Sequence, residues 1–184
     1  RSLMKLVDNV LVIGKSDWME SRAPARPIDV EPLCHEVWEE TARVLKAKHR
    51  LEIEFVGSCD GLYANEEALR TVLSNLFQNA IKYSRGSDRV EVSVTRGDAR
   101  WSIWVRDFGM GIPADEIDKV FEPFHRAKNA AFLNGTGLGL AVVKATVKSM
   151  GGEIGVESQT GVGTTFRSEE HTSELQSQFR ISYA

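Results

Sequence analysis

The chain has 184 residues, 42% of them hydrophobic, and a formal net charge of −3, enough for one globular domain with a real core. Mild acidity leaves no basic stripe to neutralise phosphates, so nucleic acid is excluded as the main partner. No apolar run approaches the roughly 20 residues of a bilayer span, and no signal peptide is visible. Cys34 and Cys59 make neither a metal spacing nor a disulfide scaffold, so a reduced, cytosolic compartment is the default. Because it begins at Arg1 rather than Met, the chain reads as a piece of something longer.

Leu3, Leu6, Val7, Val10 and Ile13 recur at helical spacing without an N-cap, which predicts the tail of a helix over 2–16. Gly14-Lys15-Ser16 is a decoy, because a phosphate-binding P-loop needs an earlier glycine where Asn9 stands. Residues 17–27, closing on Pro24 and Pro27, read as a linker. Ile28-Asp29-Val30 then predicts a short strand. Glu31 to Lys48 follows as a helix with Leu33, Val37, Val44 and Leu45 inward and His35 on its surface. Leu51 to Phe55 alternates as a half-buried strand.

Asn65 is placed to cap the next helix, with Ala68 three residues on. Leu69, Val72, Leu73, Leu76, Phe77 and Ala80 mark that helix's buried stripe. Asn75, Asn79 and Lys82 recur at i, i+4 and i+7 on another face, bordered by Tyr83. Two amides and an ammonium are unusual for a merely solvated stripe. An amide oxygen can ligate Mg²⁺, and a lysine one turn on can meet a phosphate.

Arg89–Arg96 and Arg100–Asp107 alternate as two strands joined at Gly97-Asp98. Asp107 ends the second strand and runs into Phe108-Gly109-Met110-Gly111. A carboxylate beside two glycines suits close approach to a flat ligand that presents an amine. Pro113 to Val120 predicts a short helix, broken by Phe121-Glu122-Pro123-Phe124. Residues 126–137 have the composition of a mobile lid, ordered by a ligand. Gly135-Thr136-Gly137-Leu138-Gly139 then opens a helix carrying Leu140, Val143, Val147 and Met150, stopped at Gly151-Gly152. A glycine-rich loop feeding a helix N-terminus is an anion site, but its G-x-G-x-G spacing is not the dinucleotide fingerprint. Glu153 to Glu157 predicts a strand, Gly161-Val162-Gly163 a turn, and Thr164-Thr165-Phe166 the start of another strand.

Taken in order, these elements resemble the catalytic ATP-binding domain of bacterial sensor histidine kinases, within the GHKL superfamily, over about residues 28–166. The resemblance implies an α+β, two-layer sandwich of the Bergerat type, a mixed sheet under helices. Residues 2–16 would be the end of the family's dimerisation helix. It implies ATP and Mg²⁺ as cofactors, with Asn79 the metal ligand and Asn75 supporting it. Lys82 would face phosphate and Tyr83 the adenosine, while Asp107 would hold the adenine amine beside Gly109 and Gly111. Gly135, Thr136, Gly137, Leu138 and Gly139 would cradle the phosphates, and Thr165 would lie near the adenine end. Phe121 and Phe124 would brace the lid.

Related ATPases place a glutamate one turn before the metal-binding asparagine as general base. Here Asn75 holds that position, and an amide cannot take a proton at neutral pH. Phosphoryl transfer to a histidine is therefore favoured over hydrolysis. None of His35, His49, His125 or His171 sits in a run resembling the family's acceptor motif, so no catalytic residue is assigned. The implied partners are a histidine-bearing dimerisation domain of the same kinase, a homodimer, and a downstream response regulator. The implied location is cytoplasmic, with the parent protein anchored in the inner membrane. A nucleotide-binding module or an anti-sigma-type serine kinase is the alternative.

From Arg167 the expected strand loses its alternation. Arg167 to Ser177 instead resembles, residue for residue, the translation of a sequencing-adapter oligonucleotide, and the resemblance resumes to Ala184. Residues 167–184 are therefore expected to be foreign to the natural protein, exposed, and without a core of their own.

Overall fold

The computed structural model describes residues 11, 13–14, 25–57, 62–84, 87–97 and 100–171. Residues 11, 13 and 14 are helical, and the rest of the predicted 2–16 helix lies outside the described residues. The P-loop decoy, the Asp98 turn, Cys59 and the adapter-like residues beyond His171 also fall wholly or partly outside them.

Helix α1 spans Val30–Leu45, helix α2 Glu66–Tyr83 and helix α3 Gly139–Ser149. The main sheet holds β2 (Arg50–Val56), β4 (Arg89–Arg96), β5 (Arg100–Asp107), β6 (Glu153–Gln159) and β7 (Gly163–His171), in the order β2-β4-β5-β7-β6. Only β2 and β4 pair in parallel; the other neighbours are antiparallel. That is the predicted mixed sheet under helices. A small second sheet pairs β1 (Arg26–Ile28) with β3 (Leu62–Ala64).

Helix α2 occupies the centre. The Asn65 side chain accepts a hydrogen bond from the Ala68 N–H at 3.1 Å, satisfying one of the amides that every helix start leaves open. The whole predicted stripe, Leu69, Val72, Leu73, Leu76, Phe77 and Ala80, is buried. Phe77 meets Trp38 of α1 edge to face, with ring centroids 5.4 Å apart, and Val90, Val92, Trp101 and Ile103 complete the core from the sheet.

Several expectations need correction. The first strand is Arg26–Ile28, so Arg26 and Pro27 belong to a sheet rather than a linker, and Val30 already starts α1. Helix α1 stops at Leu45 because Lys46 adopts a left-handed conformation, its N–H closing on Ala42 and Arg43. Val44 and Leu45 consequently face outward, 69% and 43% exposed. Leu62–Ala64 is a further strand, too short to show a period. The predicted 113–120 helix is a 3₁₀ turn over Ala114–Lys119.

The largest difference is in β7. Alternation does not end at Phe166: Thr164, Phe166, Ser168 and Glu170 are buried in turn. The main chain stays paired with β5 as far as His171 and with β6 as far as Glu169, with Trp101 opposite Glu170 and Ile154 opposite Ser168. Backbone pairing does not depend on side-chain identity, so polar residues are carried inward with it. Ser168 Oγ, Glu170 Oε1 and Trp101 Nε1 all lie buried without a hydrogen-bond partner among the described residues.

Candidate functional site

A cleft of about 560 Å³ opens between α2, the start of α3, the loop after β5 and the segment before α3. One end is built on Asp107. Its carboxylate is nearly fully buried, and its Oδ1 accepts the Gly109 N–H at 2.9 Å. Burial pushes the Asp107 carboxyl up to about 6 against the opposing pull of the Gly109 and Thr164 amides. The glycines here answer to close approach. A methyl at Gly109 would collide with the Tyr83 carbonyl, and one at Gly111, where φ is +64°, with the Gln159 carbonyl. Ser158 fastens the same loop: its Oγ accepts the Ile112 N–H at 2.8 Å and donates to the Gly163 carbonyl at 2.9 Å.

The opposite end gathers Asn75, Asn79, Lys82, Gly135, Thr136, Gly137 and Gly139 on the wall of one cleft. The Asn75 Nδ2 donates to the Thr71 carbonyl at 2.8 Å, which directs its Oδ1 away from its own helix. A Cβ added at Gly139 would lie 3.1 Å from that oxygen, and one at Gly135 would lie 2.5 Å from Lys82 Nζ. Lys82 Nζ donates to the Tyr83 hydroxyl at 3.0 Å. An ammonium, a helix start and a glycine loop together favour an anion at this end. Among the described residues no group of three or more His, Cys, Asp or Glu is placed to hold a metal ion.

The segment between the two ends carries order of its own. It makes a 3₁₀ turn over Lys128–Ala130, and the Arg126 guanidinium donates to the carbonyls of Ala130, Ala131 and Leu133. Buried Glu116 accepts from His125 Nε2 at 3.1 Å and pairs with Lys128 Nζ at 3.4 Å. Asn129 Nδ2 donates to the Gly111 carbonyl at 2.8 Å.

Ten of the predicted residues line the cleft: Asn75, Asn79, Lys82, Tyr83, Asp107, Gly111, Gly135, Thr136, Gly137 and Gly139. Three do not. Gly109 stands behind Asp107, Leu138 is fully buried as an anchor of the glycine loop, and Thr165 is replaced on the wall by its neighbour Thr164. In a strand, adjacent side chains take opposite faces, so only one of the two threonines can reach the cleft. The Phe121 ring meets Phe166 of β7 edge to face, with centroids 6.3 Å apart. Phe124 is 64% exposed and reaches the glycine loop only through its backbone, its N–H donating to the Gly137 carbonyl at 2.9 Å. Ser158, Thr164 and Asn129 were missed, being common residues whose importance comes from where distant strands and turns bring them.

The fold and site define a two-layer α/β domain whose polar cleft lies between its helices and the segment before α3. The chain matches the family described as histidine kinase-, DNA gyrase B-, and HSP90-like ATPase over residues 64–170, and it belongs to that family. Sensor histidine kinase AruS of Pseudomonas aeruginosa is 42% identical over 114 residues, 58% of this chain and 11% of AruS. The circadian input-output histidine kinase CikA of Synechococcus elongatus is 30% identical over 169 residues, 89% of this chain and 22% of CikA. Adaptive-response sensory kinase SasA of the same organism is 30% identical over 168 residues, 90% of this chain and 43% of SasA. This chain therefore spans less than half the length of these relatives. Among solved structures, full-length ShkA in complex with AMPPNP superposes with a TM-score of 0.77 at 29% identity, covering 94% of this chain and 36% of ShkA. Mycobacterial sensor histidine kinase MprB gives 0.68 at 27% identity, covering 79% and 97%.

Proposed function

We propose that this chain is the ATP-binding catalytic part of a sensor histidine kinase, passing the γ-phosphoryl group to a histidine on a dimerisation domain. The observation that carries this reading is the polarity of one cleft: a buried acid at one end, and an ammonium, two amides and a glycine loop at the other. Asp107 would accept the adenine amine, while Lys82 and the loop from Gly135 to Gly139 would receive the phosphates. Mg²⁺ fits the donors present, because this cation takes few protein oxygens and keeps phosphate and water ligands. Asn79 would offer its amide oxygen to the metal, with Asn75 beside it. When bound, the metal would neutralise charge on the phosphates.

A base for water is lacking where Asn75 stands, and this supports transfer over hydrolysis. The acceptor would come from the dimerisation domain of a homodimeric, membrane-anchored parent whose kinase part faces the cytoplasm, and a response regulator would receive the phosphate next. Among the described residues no helix is long and apolar enough to cross a membrane. An anti-sigma-type serine kinase would use the same cleft. Acid-stable phosphate on a serine of a partner, in place of acid-labile phosphohistidine, would favour it.

The test is titration of a fluorescent ATP analogue against the wild type and Asp107→Asn. Loss of the charge-assisted hydrogen bond is expected to weaken binding by roughly ten- to hundredfold; equal binding would sink the adenine assignment.

We further infer that residues from Arg167 onward are the translated adapter. Ser168 and Glu170 are buried, not exposed as expected; what supports the reading is that their Oγ and Oε1 have no hydrogen-bond partner among the described residues, where a strand selected for this position would carry apolar side chains inward.

A further inference from the structure

Ser158 makes three contacts through one oxygen, and together they fix where the hydrogens lie. Its Oγ is 2.9 Å from the Gly163 carbonyl, 2.8 Å from the Ile112 nitrogen and 3.0 Å from Thr164 Oγ1. A hydroxyl has one hydrogen to donate and two lone pairs that accept. The Gly163 carbonyl only accepts, so the Ser158 hydrogen goes to it; turned elsewhere, it would leave two bare oxygens facing each other. The Ile112 N–H fills one lone pair. The remaining contact therefore runs from the Thr164 hydroxyl to Ser158, and Thr164 keeps only lone pairs for anything else.

Thr164 stands beside Asp107. The two are paired across β5 and β7, the Thr164 main-chain N–H bonds the Asp107 carboxylate, and both residues line the cleft. Ser158 does not line it, so it acts there only through its neighbours. Main-chain donors of the adjoining loop are already spent. Gly109 N–H is used on Asp107, Met110 N–H on the Tyr83 carbonyl and Ile112 N–H on Ser158 itself. The ionised Asp107 carboxylate and the Thr164 hydroxyl thus offer a ligand acceptors alone.

We propose that Ser158 is a positioning residue for base selection. By holding the Thr164 hydroxyl hydrogen, it sets the Asp107 end of the cleft to favour a base edge that carries an amine over one that carries a carbonyl. The proposal rests on the nucleotide reading of the site.

The test compares ATP with inosine triphosphate, which has a carbonyl in place of the amine. Each is titrated against the full chain as wild type, Ser158→Ala, Ser158→Thr, Thr164→Val, and Thr164→Val combined with Ser158→Ala. Thermal melts show that each variant is folded. Wild type should prefer ATP. Ser158→Ala frees the Thr164 hydrogen to meet the carbonyl, so the preference should fall about fivefold or more, whatever uniform loss of affinity accompanies it. Ser158→Thr keeps the hydroxyl and should keep the preference. Thr164→Val removes the group on which Ser158 acts and should lower the preference too; adding Ser158→Ala to it should then change the ratio by less than about twofold. Wild type without a preference, an equal loss on both nucleotides in Ser158→Ala, a change that Ser158→Thr shares, or one that persists in the Thr164→Val background would each overturn the proposal. Wild type that binds neither nucleotide would overturn the reading of the site itself, and the proposal with it.

Discussion

At Asp107, burial and hydrogen bonding act in opposite directions on one carboxyl. Burial wins, and the group sits at about 6 against an ordinary 3.8. The folded domain therefore holds this proton more tightly than the unfolded chain, and its stability falls as pH rises from the ordinary value to about 6. A shift of this size corresponds to roughly 3 kcal/mol. ATP binding should run the other way, because the ionised form accepts the amine through a charge-assisted bond and the protonated form only through a weaker neutral one. Affinity is expected to weaken by about tenfold from pH 7 to pH 5, and Asp107→Asn should flatten that profile in the same titration. Asp107 was legible in the sequence because a strand ending on an acid before two glycines is a local pattern. Ser158, Thr164 and Asn129 were not, since their partners Ile112, Gly163 and Gly111 are set by tertiary approach. Cys34 is buried in the core, and that burial pushes its thiol up to about 12.

Two elements show why some of the fold could be read and some could not. Helix α2 declared itself through a cap and a stripe of period 3.6, and all six stripe residues are buried. Truncating one of them, as in Leu76→Ala, should lower stability by about 2–5 kcal/mol in urea melts. Strand β7 defeated sequence reading because its second half is held by main-chain pairing with β5 and β6 while its inward side chains are polar. Glu170 is the clearest case, since burial pushes it up to about 8 from 4.5. Its raised value means stability is greatest below the ordinary range and is lost as pH climbs to about 8, by at most roughly 4–5 kcal/mol. Glu170→Leu should remove that slope and raise the melting temperature most at pH 8.5. A variant no more stable than the parent there would count against a buried, unpaired carboxylate.

For the whole molecule, the proposed phosphoryl transfer needs a second component. Alone, the chain is expected to turn ATP over very slowly and to acquire no acid-labile phosphate; mixed with its cognate dimerisation domain, it should phosphorylate a histidine there. Phosphate on exposed His35 of the isolated chain would contradict this. The sheet order carries a further consequence, for the time at which the cleft can form. Strand β5 supplies Asp107, but its neighbour on one side is β7, so Asp107 faces Thr164 and Val105 faces Phe166 across nearly sixty intervening residues. A chain emerging from the ribosome can pair β4 with β5 early, yet must leave the other edge of β5 open until β7 arrives. Closing such a distant pair is slow, and the open edge meanwhile is a site for mispairing. Assembly of the pocket is thus a late event in folding, and a ribosome-stalled chain ending near residue 150 should gain protease resistance in α2 without gaining any affinity for ATP.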